Sequence, residues 1–254
     1  MVYPILNSGF SRTYVLAEEN GFAVVDPGSI GAALDVKCFI EEELRRDMRS
    51  ITAVMATHFH IDHIGGIGTL LSSAGPDTKV FFHAKVREYI EEGRPIPAMK
   101  NWHMGLRPAA WKSAGYLRRA THLMFDTLAG IPLPGFRSLT YLPYERNRIH
   151  YFDGGREKRY SLGFSGWVVI YTPGHTEDSV CFYRESTGEL LAGDLIVNLE
   201  SGGRGRLNRF YSSKEEILAS FEFLLNNVRA KTVYPGHGEP FGGGDNALAG
   251  VERF

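Results

Sequence analysis

Between Thr57 and His63 the chain reads Thr-His-Phe-His-Ile-Asp-His. Three imidazoles and a carboxylate, from His58, His60, Asp62 and His63, fall within a few residues of one another. On an extended segment His58 and His60 point the same way, because side chains alternate along it. Imidazole and carboxylate are good ligands for zinc, manganese or iron, and a divalent ion needs several of them converging. A single histidine in a polar loop reads as a surface group; this density of donors does not. Three more segments match in kind: Pro173-Gly174-His175, Gly193-Asp194 and Pro235-Gly236-His237. Alone, each is an ordinary turn or an Asp-capped loop. Together they put one further metal-ligand side chain at each of three places, always beside a glycine that permits a tight turn and a close approach.

Those donors need rigid elements behind them. Ile51 to Ala56 is a short apolar strand that runs straight into His58. Trp167 to Tyr171, Leu190 to Ala192 and Thr232 to Tyr234 are strands that end at His175, Asp194 and His237. Thr13 to Ala17 and Phe22 to Val25 form a hairpin around Glu19-Asn20-Gly21. Arg148 to Phe152, Arg159 to Leu162 and Ser179 to Arg184 read as strands, as does Lys79 to Phe82. Leu34 to Met48, Ile64 to Ser73, Ala84 to Glu92 and Lys214 to Asn226 have helical spacing. Strands and helices in this order suit two packed sheets with helices outside. The stretch from Arg94 to Tyr144 breaks the alternation. It is rich in proline, aromatic residues and methionine, and within it Ala109 to Leu128 has helical spacing.

The ordered motifs resemble those of the metallo-β-lactamase fold superfamily, in its glyoxalase II-like and lactonase-like branch. The resemblance covers the chain outside about 94–144. It implies one α/β domain over 1–254, a four-layer αββα sandwich of two mixed β-sheets flanked by helices. The segment at about 94–144 interrupts that pattern and, as a long insertion rich in aromatic side chains, reads as a helical lid near the site. The resemblance implies two divalent ions, zinc first and iron or manganese as alternatives. One ion falls to His58, His60 and His175, the other to Asp62, His63 and His237, and Asp194 bridges them. It also implies a water made acidic between the ions, with Asp62 both ligand and orienter of that nucleophile. Asp26, in Val-Val-Asp-Pro-Gly, corresponds to a carboxylate that orients a ligand histidine; as a residue before proline it is equally a turn former. Thr57 and Thr176 read as loop packing, with a role behind the ligands as the alternative.

The expected activity is hydrolysis of an ester-type bond, a thioester or lactone with an apolar portion. The alternatives are a phosphodiesterase acting on a small phosphodiester or nucleotide, and an iron-dependent oxygenase of the same fold. A protein that keeps the fold only for binding sits poorly with the full ligand set. Aspartate at 194, where a typical β-lactamase site has cysteine, disfavours antibiotic hydrolysis. Histidine at 60 disfavours the flavin-linked iron oxidoreductases, whose flavodoxin-like extension is also not seen. Gly202-Gly203-Arg204-Gly205-Arg206 faintly resembles a loop of glyoxalase II-like enzymes. The helical domain that grips glutathione there is not recognised, so glutathione is not expected.

Bulk composition adds exclusions. Lys plus Arg number 28 and Asp plus Glu 29, a net charge of -1. This balance offers no general attraction for nucleic acid or an anionic membrane. Apolar runs are too short to span a bilayer, and the first residues do not read as a signal peptide. Cys38 and Cys181, far apart and in no metal-like spacing, read as two reduced buried thiols. The expected setting is cytoplasmic, the partner a small-molecule substrate, and a homo-oligomer is left open. In the insert, Trp102, Tyr116 and Phe125 are candidates for an apolar substrate wall, and Arg107, Lys112, Arg118 and Arg119 for meeting an anion. His83, His103, His122 and His150 read as ordinary core or surface residues.

Overall fold

Side-chain alternation decides the layers. The computed structural model describes residues 1–5, 8–103, 105–155, 160–161 and 166–254. The first sheet is built from β1 (Val2–Ile5), β2 (Thr13–Glu18), β3 (Gly21–Val25), β4 (Ile51–Met55) and β5 (Lys79–His83). The two-residue strands β6 (Leu128–Ala129) and β7 (Thr140–Tyr141) pair with each other inside the insert, and β8 (Ile149–Phe152) returns to complete the first sheet beside β5. β1, β2 and β3 are antiparallel; β3, β4, β5 and β8 run parallel. In β3, Val24 faces outward to Ala33 and Val36, whereas Ala23 and Val25 face the second sheet. In β4, Val54 points outward and Ala53 and Met55 inward.

The second sheet holds β9 (Tyr160–Ser161), β10 (Trp167–Tyr171), β11 (Val180–Arg184), β12 (Glu189–Asn198), β13 (Arg206–Leu207), β14 (Thr232–Gly238) and β15 (Phe241–Gly242). Its order is β15-β14-β12-β11-β10-β9, with β13 also on β12. β12 and β14 are parallel and the other pairs antiparallel, so both sheets are mixed. Between the sheets lie Leu16, Met55, Phe152, Trp167, Val169 and Phe182. Each such buried apolar side chain contributes roughly 1.5–3 kcal/mol. Outside the first sheet pack α1 (Ile30–Cys38), α3 (Ile67–Ser73), which follows the short α2 (Ile61–Ile64), and α4 (Val86–Glu91). Within the insert lies α5 (Leu106–Ser113); outside the second sheet, α6 (Lys214–Asn227) buries Ile217, Phe221 and Leu224. The expected four-layer αββα sandwich is therefore the fold.

Several boundaries differ from the sequence reading. The helix expected over Leu34 to Met48 starts earlier, where Ser29 accepts from the Ala32 N–H, and ends in a wider turn over Phe39–Glu43. Gly31 lies inside α1, where a Cβ would overlap the His122 ring. The helix expected over Ile64 to Ser73 is broken at Gly65-Gly66, where Phe125 and the Ser29 carbonyl press on the backbone. The helix expected over Ala109 to Leu128 is the largest departure. α5 covers only Leu106–Ser113, followed by 3-10 turns at Ala114–Tyr116 and Ala120–Leu123. Tertiary contacts override the helical spacing: His122 bonds Asp35 at 2.8 Å, Arg119 pairs with Asp35 at 2.6 Å, and Ile30 N–H donates to Met124 O at 2.9 Å. The strand expected over Arg159 to Leu162 lies partly outside the described residues; Tyr160–Ser161 pairs with β10. Cys38 and Cys181 are not joined in a disulfide; Cys181 is buried as expected, whereas Cys38, at the end of α1, is exposed. Among the described residues no helix is long and apolar enough to cross a membrane.

The close seat of α1 on the insert gives a direct test. Gly31→Ala should cost about 1–3 kcal/mol by overpacking, whereas Gly115→Ala, with nothing within 4 Å of its Cβ position, should be neutral or slightly stabilising. Equal melting temperatures for both variants and the parent would contradict the packing described.

Candidate metal centre

Strand ends bring the donors together. β4 stops at Met55 and the chain runs on through Thr57 to His58 and His60. β10 stops at Tyr171 and the turn Thr172-Pro173-Gly174 delivers His175. Asp194 and His237 lie inside β12 and β14, which extend beyond the apolar cores seen in the sequence. The register between these two strands slips on either side of Gly193, and such an irregularity re-aims a side chain. Gly236 must be glycine, because a Cβ there would overlap the Asp194 carboxylate.

Ligand-type atoms from all seven expected residues converge. His58, His60 and His175 form one group, Asp62, His63 and His237 a second, and His58, His63 and Asp194 a third; within each, the donor atoms lie within 4.8 Å of one another. His175 Nε2 is 3.1 Å from His60 Nδ1. Asp194 faces both groups: its Oδ2 is 3.4 Å from His175 Nε2 and 3.2 Å from His237 Nε2, and its Oδ1 is 3.4 Å from His63 Nε2. Asp62 Oδ2 is 3.5 Å from His237 Nε2 and 3.8 Å from His63 Nε2.

The far nitrogens of the rings are held by other groups. His63 Nδ1–H donates to Asp26 Oδ2 at 3.0 Å, His175 Nδ1–H to Phe210 O at 2.6 Å, and His237 Nδ1–H to Phe10 O at 2.7 Å. Thr57 spends its hydroxyl proton on Asp26 Oδ2 at 2.7 Å, so it accepts from His58 Nδ1–H at 3.1 Å. Each tautomer is thereby fixed with the Nε2 lone pair toward the cluster, the arrangement that metal-binding histidines need. Asp26 also accepts from Thr57 N at 2.7 Å. It is buried and holds a left-handed φ of 54°, a conformation costing roughly 1–2 kcal/mol that these three bonds offset. Asp26 is thus both turn former and orienter, and Thr57 acts behind the ligands as well as packing the loop. Thr176 bonds Ser179 and the Asp178 carboxylate.

This donor set fits a cation. His58 Nε2, His60 Nε2, His63 Nε2 and Asp194 Oδ1 are buried and have no hydrogen-bond partner among the described residues, a costly state for polar atoms unless something positive satisfies them. Burial and the neighbouring rings hold His58 and His60 well below the ordinary histidine pKa. Burial alone would lower His63 too, but the carboxylates of Asp194, Asp26 and Asp62 outweigh it and raise His63 well above that value. Burial alone would raise Asp194; His237, His63 and His175 hold it well below the carboxylate range instead. The pocket thus gathers more lone pairs and negative charge than its own groups satisfy, as a cation site does.

Residues 6–237 match the sequence profile of the Metallo-beta-lactamase superfamily. The chain belongs to that superfamily of metallo-hydrolases. It is 25% identical to the "Probable metallo-hydrolase YqgX" of Bacillus subtilis (strain 168), over 90% of this chain and 85% of that one. It is 33% identical to the "Hydroxyacylglutathione hydrolase" of Francisella tularensis subsp. tularensis (strain WY96-3418), over 96% of this chain and 69% of that one. The share of a relative's own length that it spans falls to 56% for a second Bacillus metallo-hydrolase. Among solved structures, TTHA1623 in a di-iron-bound form aligns with a TM-score of 0.55 and 21% identity, over 91% of this chain and 89% of that one.

In this superfamily member the insert reaches the cluster. A cavity of about 300 Å³ is bounded by His60, Asp62, His175, Asp194 and His237 on one side, and by Trp102, Phe125, Ile131 and Leu133 of the insert on the other. Trp102 and Phe125, the expected candidates for an apolar wall, thus line this cavity. Tyr116 does not: its ring lies against the Arg12 guanidinium, 3.9 Å away, at the outer end of α5. Arg12 in turn donates through Nε to Gly238 O at 2.6 Å, and its backbone N–H donates to Gly236 O at 2.7 Å, bracketing His237. His122 is buried on Asp35 and does not line the cavity.

The sequence reading missed five supports. Asn208 donates to Asp194 Oδ2 at 3.2 Å. Asp178, pushed up to about 6 by burial, accepts from the Phe59 N–H at 2.7 Å and fixes the peptide between His58 and His60. Arg12 and the backbone carbonyls of Phe10 and Phe210 complete the set. A backbone carbonyl has no sequence signature, and lone Asn, Arg or Asp residues outside a motif have little.

Asp26 touches only the far side of one ligand ring, His63, and reaches His58 through Thr57, whereas Asp194 faces both groups. Asp26→Ala should weaken metal affinity about 10–100-fold, read by competition with a chromogenic chelator. Asp194→Ala should weaken it further and abolish the tighter of two binding phases. Comparable losses in the two folded variants would contradict this assignment.

Proposed function

We propose that this superfamily member hydrolyses a carboxylic ester-type bond, a thioester or lactone with an apolar acyl portion, at a two-metal centre. The supporting observation is the cavity beside the cluster. Its walls away from the cluster are Phe10, Trp102, Phe125, Ile131, Leu133 and Phe210, and among its described lining residues there is no Lys or Arg. An apolar acyl arm gains from such a wall; an anionic phosphodiester finds no side-chain cation there.

His58, His60 and His175 would hold one ion, Asp62, His63 and His237 the other, with Asp194 shared. Five imidazoles and two carboxylates without a thiolate suit zinc first, with iron or manganese also accommodated. Two such ions, when bound, supply acidity to a water and stabilise negative charge on a substrate oxygen. The protein does the rest. Asp62 is about a third exposed and borders the cavity, so it orients the attacking water and accepts its hydrogen bond. Asp194 stays ionised because three histidines surround it. Trp102 directs its Nε1–H away, to Met99 O at 3.1 Å, and presents carbon to the acyl chain. The insert acts as a lid that excludes bulk water from this recess.

The test is a panel of metal-loaded assays on a thioester, a lactone and a bis-aryl phosphodiester. The carboxylic substrates should exceed the phosphodiester in kcat/KM by about 100-fold or more. Leu133→Ala, at a half-exposed wall position, should lower kcat/KM for a long acyl chain about ten-fold, and for an acetyl ester much less. Superior phosphodiester turnover, or oxygen uptake with redox-active iron, would replace the ester reading.

A further inference from the structure

A second, open recess adjoins the acyl cavity. It is a groove of about 960 Å³ lined by Trp102, His103, Arg107, Trp111 and Lys112, and it shares Phe10, Trp102 and Ala110 with the cavity beside the cluster. The Trp102 ring packs edge-on against Phe210, centroids 5.0 Å apart, and forms a fixed partition between the two recesses.

The groove differs in chemistry from the cavity. Trp111 is 84% exposed, an unusual position for an indole of this size. Arg107 is exposed and has no side-chain partner among the described residues. The two lie four residues apart on α5 and share one face of the helix. Lys112 lends further positive charge while its Nζ contacts Glu200 at 3.0 Å. The insert's other candidate cations are engaged elsewhere: Arg119 with Asp35, and Arg118 with the Gly115 carbonyl at 2.7 Å. The molecule thus sets a bare planar ring and an unpaired guanidinium side by side, one partition away from the reacting centre.

We propose that this groove receives the leaving group of the substrate, and that the leaving group is a thiol bearing phosphate and a planar heterocycle, as in coenzyme A. This rests on the ester reading above. An exposed indole stacks on a nucleobase, and a free guanidinium binds phosphate through paired N–H donors. A glutathione thiol carries carboxylates but no ring for Trp111. A lactone has no separate leaving group to fill the groove. The acyl chain occupies the closed apolar cavity and the carrier lies along α5. Hydrolysis breaks the C–S bond and forms a C–O bond to water. One water proton passes to the departing thiolate and the other is released from the acid, so no co-reactant is required.

The experiment uses one acyl group carried on coenzyme A, on glutathione and on N-acetylcysteamine, with metal-loaded parent, Arg107→Glu and Trp111→Ala proteins. Binding of free coenzyme A is followed in parallel by tryptophan fluorescence, which needs no turnover. The coenzyme A thioester should be the best of the three, and each variant should lower its kcat/KM about ten-fold, mainly through KM. The loss with N-acetylcysteamine should be several-fold smaller. Coenzyme A should quench fluorescence in the parent and much less in Trp111→Ala. Equal kcat/KM on all three carriers, a preference for glutathione, or thioester turnover without coenzyme A binding would overturn the groove assignment and leave the ester reading standing. Coenzyme A binding that depends on Trp111, without hydrolysis of any thioester, would overturn the ester reading and leave the groove.

Discussion

Five imidazoles and two carboxylates face one another across a few ångströms with no hydrogen atoms to spare between them. The rest of the structure is arranged around that unmet demand for positive charge. His63, His175 and His237 each turn an N–H to the far side, to Asp26, Phe210 O and Phe10 O. The near side is left with lone pairs and the charge of Asp194 and Asp62. Lone pairs at 3.1–3.5 Å repel unless a cation or a shared proton lies among them. Burial sharpens the repulsion, because little solvent screens it. Such an assembly persists only if stiff elements hold the donors and a cation satisfies them.

The sandwich supplies the stiffness. Four strands, β4, β10, β12 and β14, end or kink at one edge of the two sheets, and each carries its donor over a fully packed core. The N-terminal loop adds a clamp from the side. Phe10 O holds the His237 ring, the Ser11 hydroxyl donates to the Asp62 carbonyl, and Arg12 brackets Gly236 and Gly238. Because Tyr116 of the insert lies on Arg12, the insert is tied to the same loop that positions the second group of ligands. The wall that shapes the substrate space and the frame that holds the ligands are therefore one mechanical unit.

Much of this was legible in the sequence. Donors beside glycine after apolar strands give away a metal centre, because strand ends and tight turns are the cheapest way to aim several side chains at one point. The four layers followed from strands and helices with clear periodicity, such as Trp167 to Tyr171 and Lys214 to Asn226. The insert was legible only in part. Its apolar spacing read as one long helix, yet contacts of His122 and Arg119 with Asp35 fold it into short turns over α1. Tyr116 read as pocket wall by its type alone; its place is decided by Arg12, a long-range partner that no local pattern reveals. Asp26 carried two readings that the structure unites, since its left-handed backbone lets one carboxylate reach both Thr57 and His63. The carbonyls of Phe10 and Phe210 were invisible for a simpler reason: every residue has one.

The account turns on two cations sharing Asp194. A crystal structure of the metal-loaded protein, with anomalous scattering recorded at the absorption edge of the bound element, addresses this most directly. Two peaks about 3.5–4 Å apart, with Asp194 between them and His60, His175, Asp62 and His237 divided as described, are the predicted result. A single peak at full loading, with Asp62 and His237 turned away from it, would contradict the account.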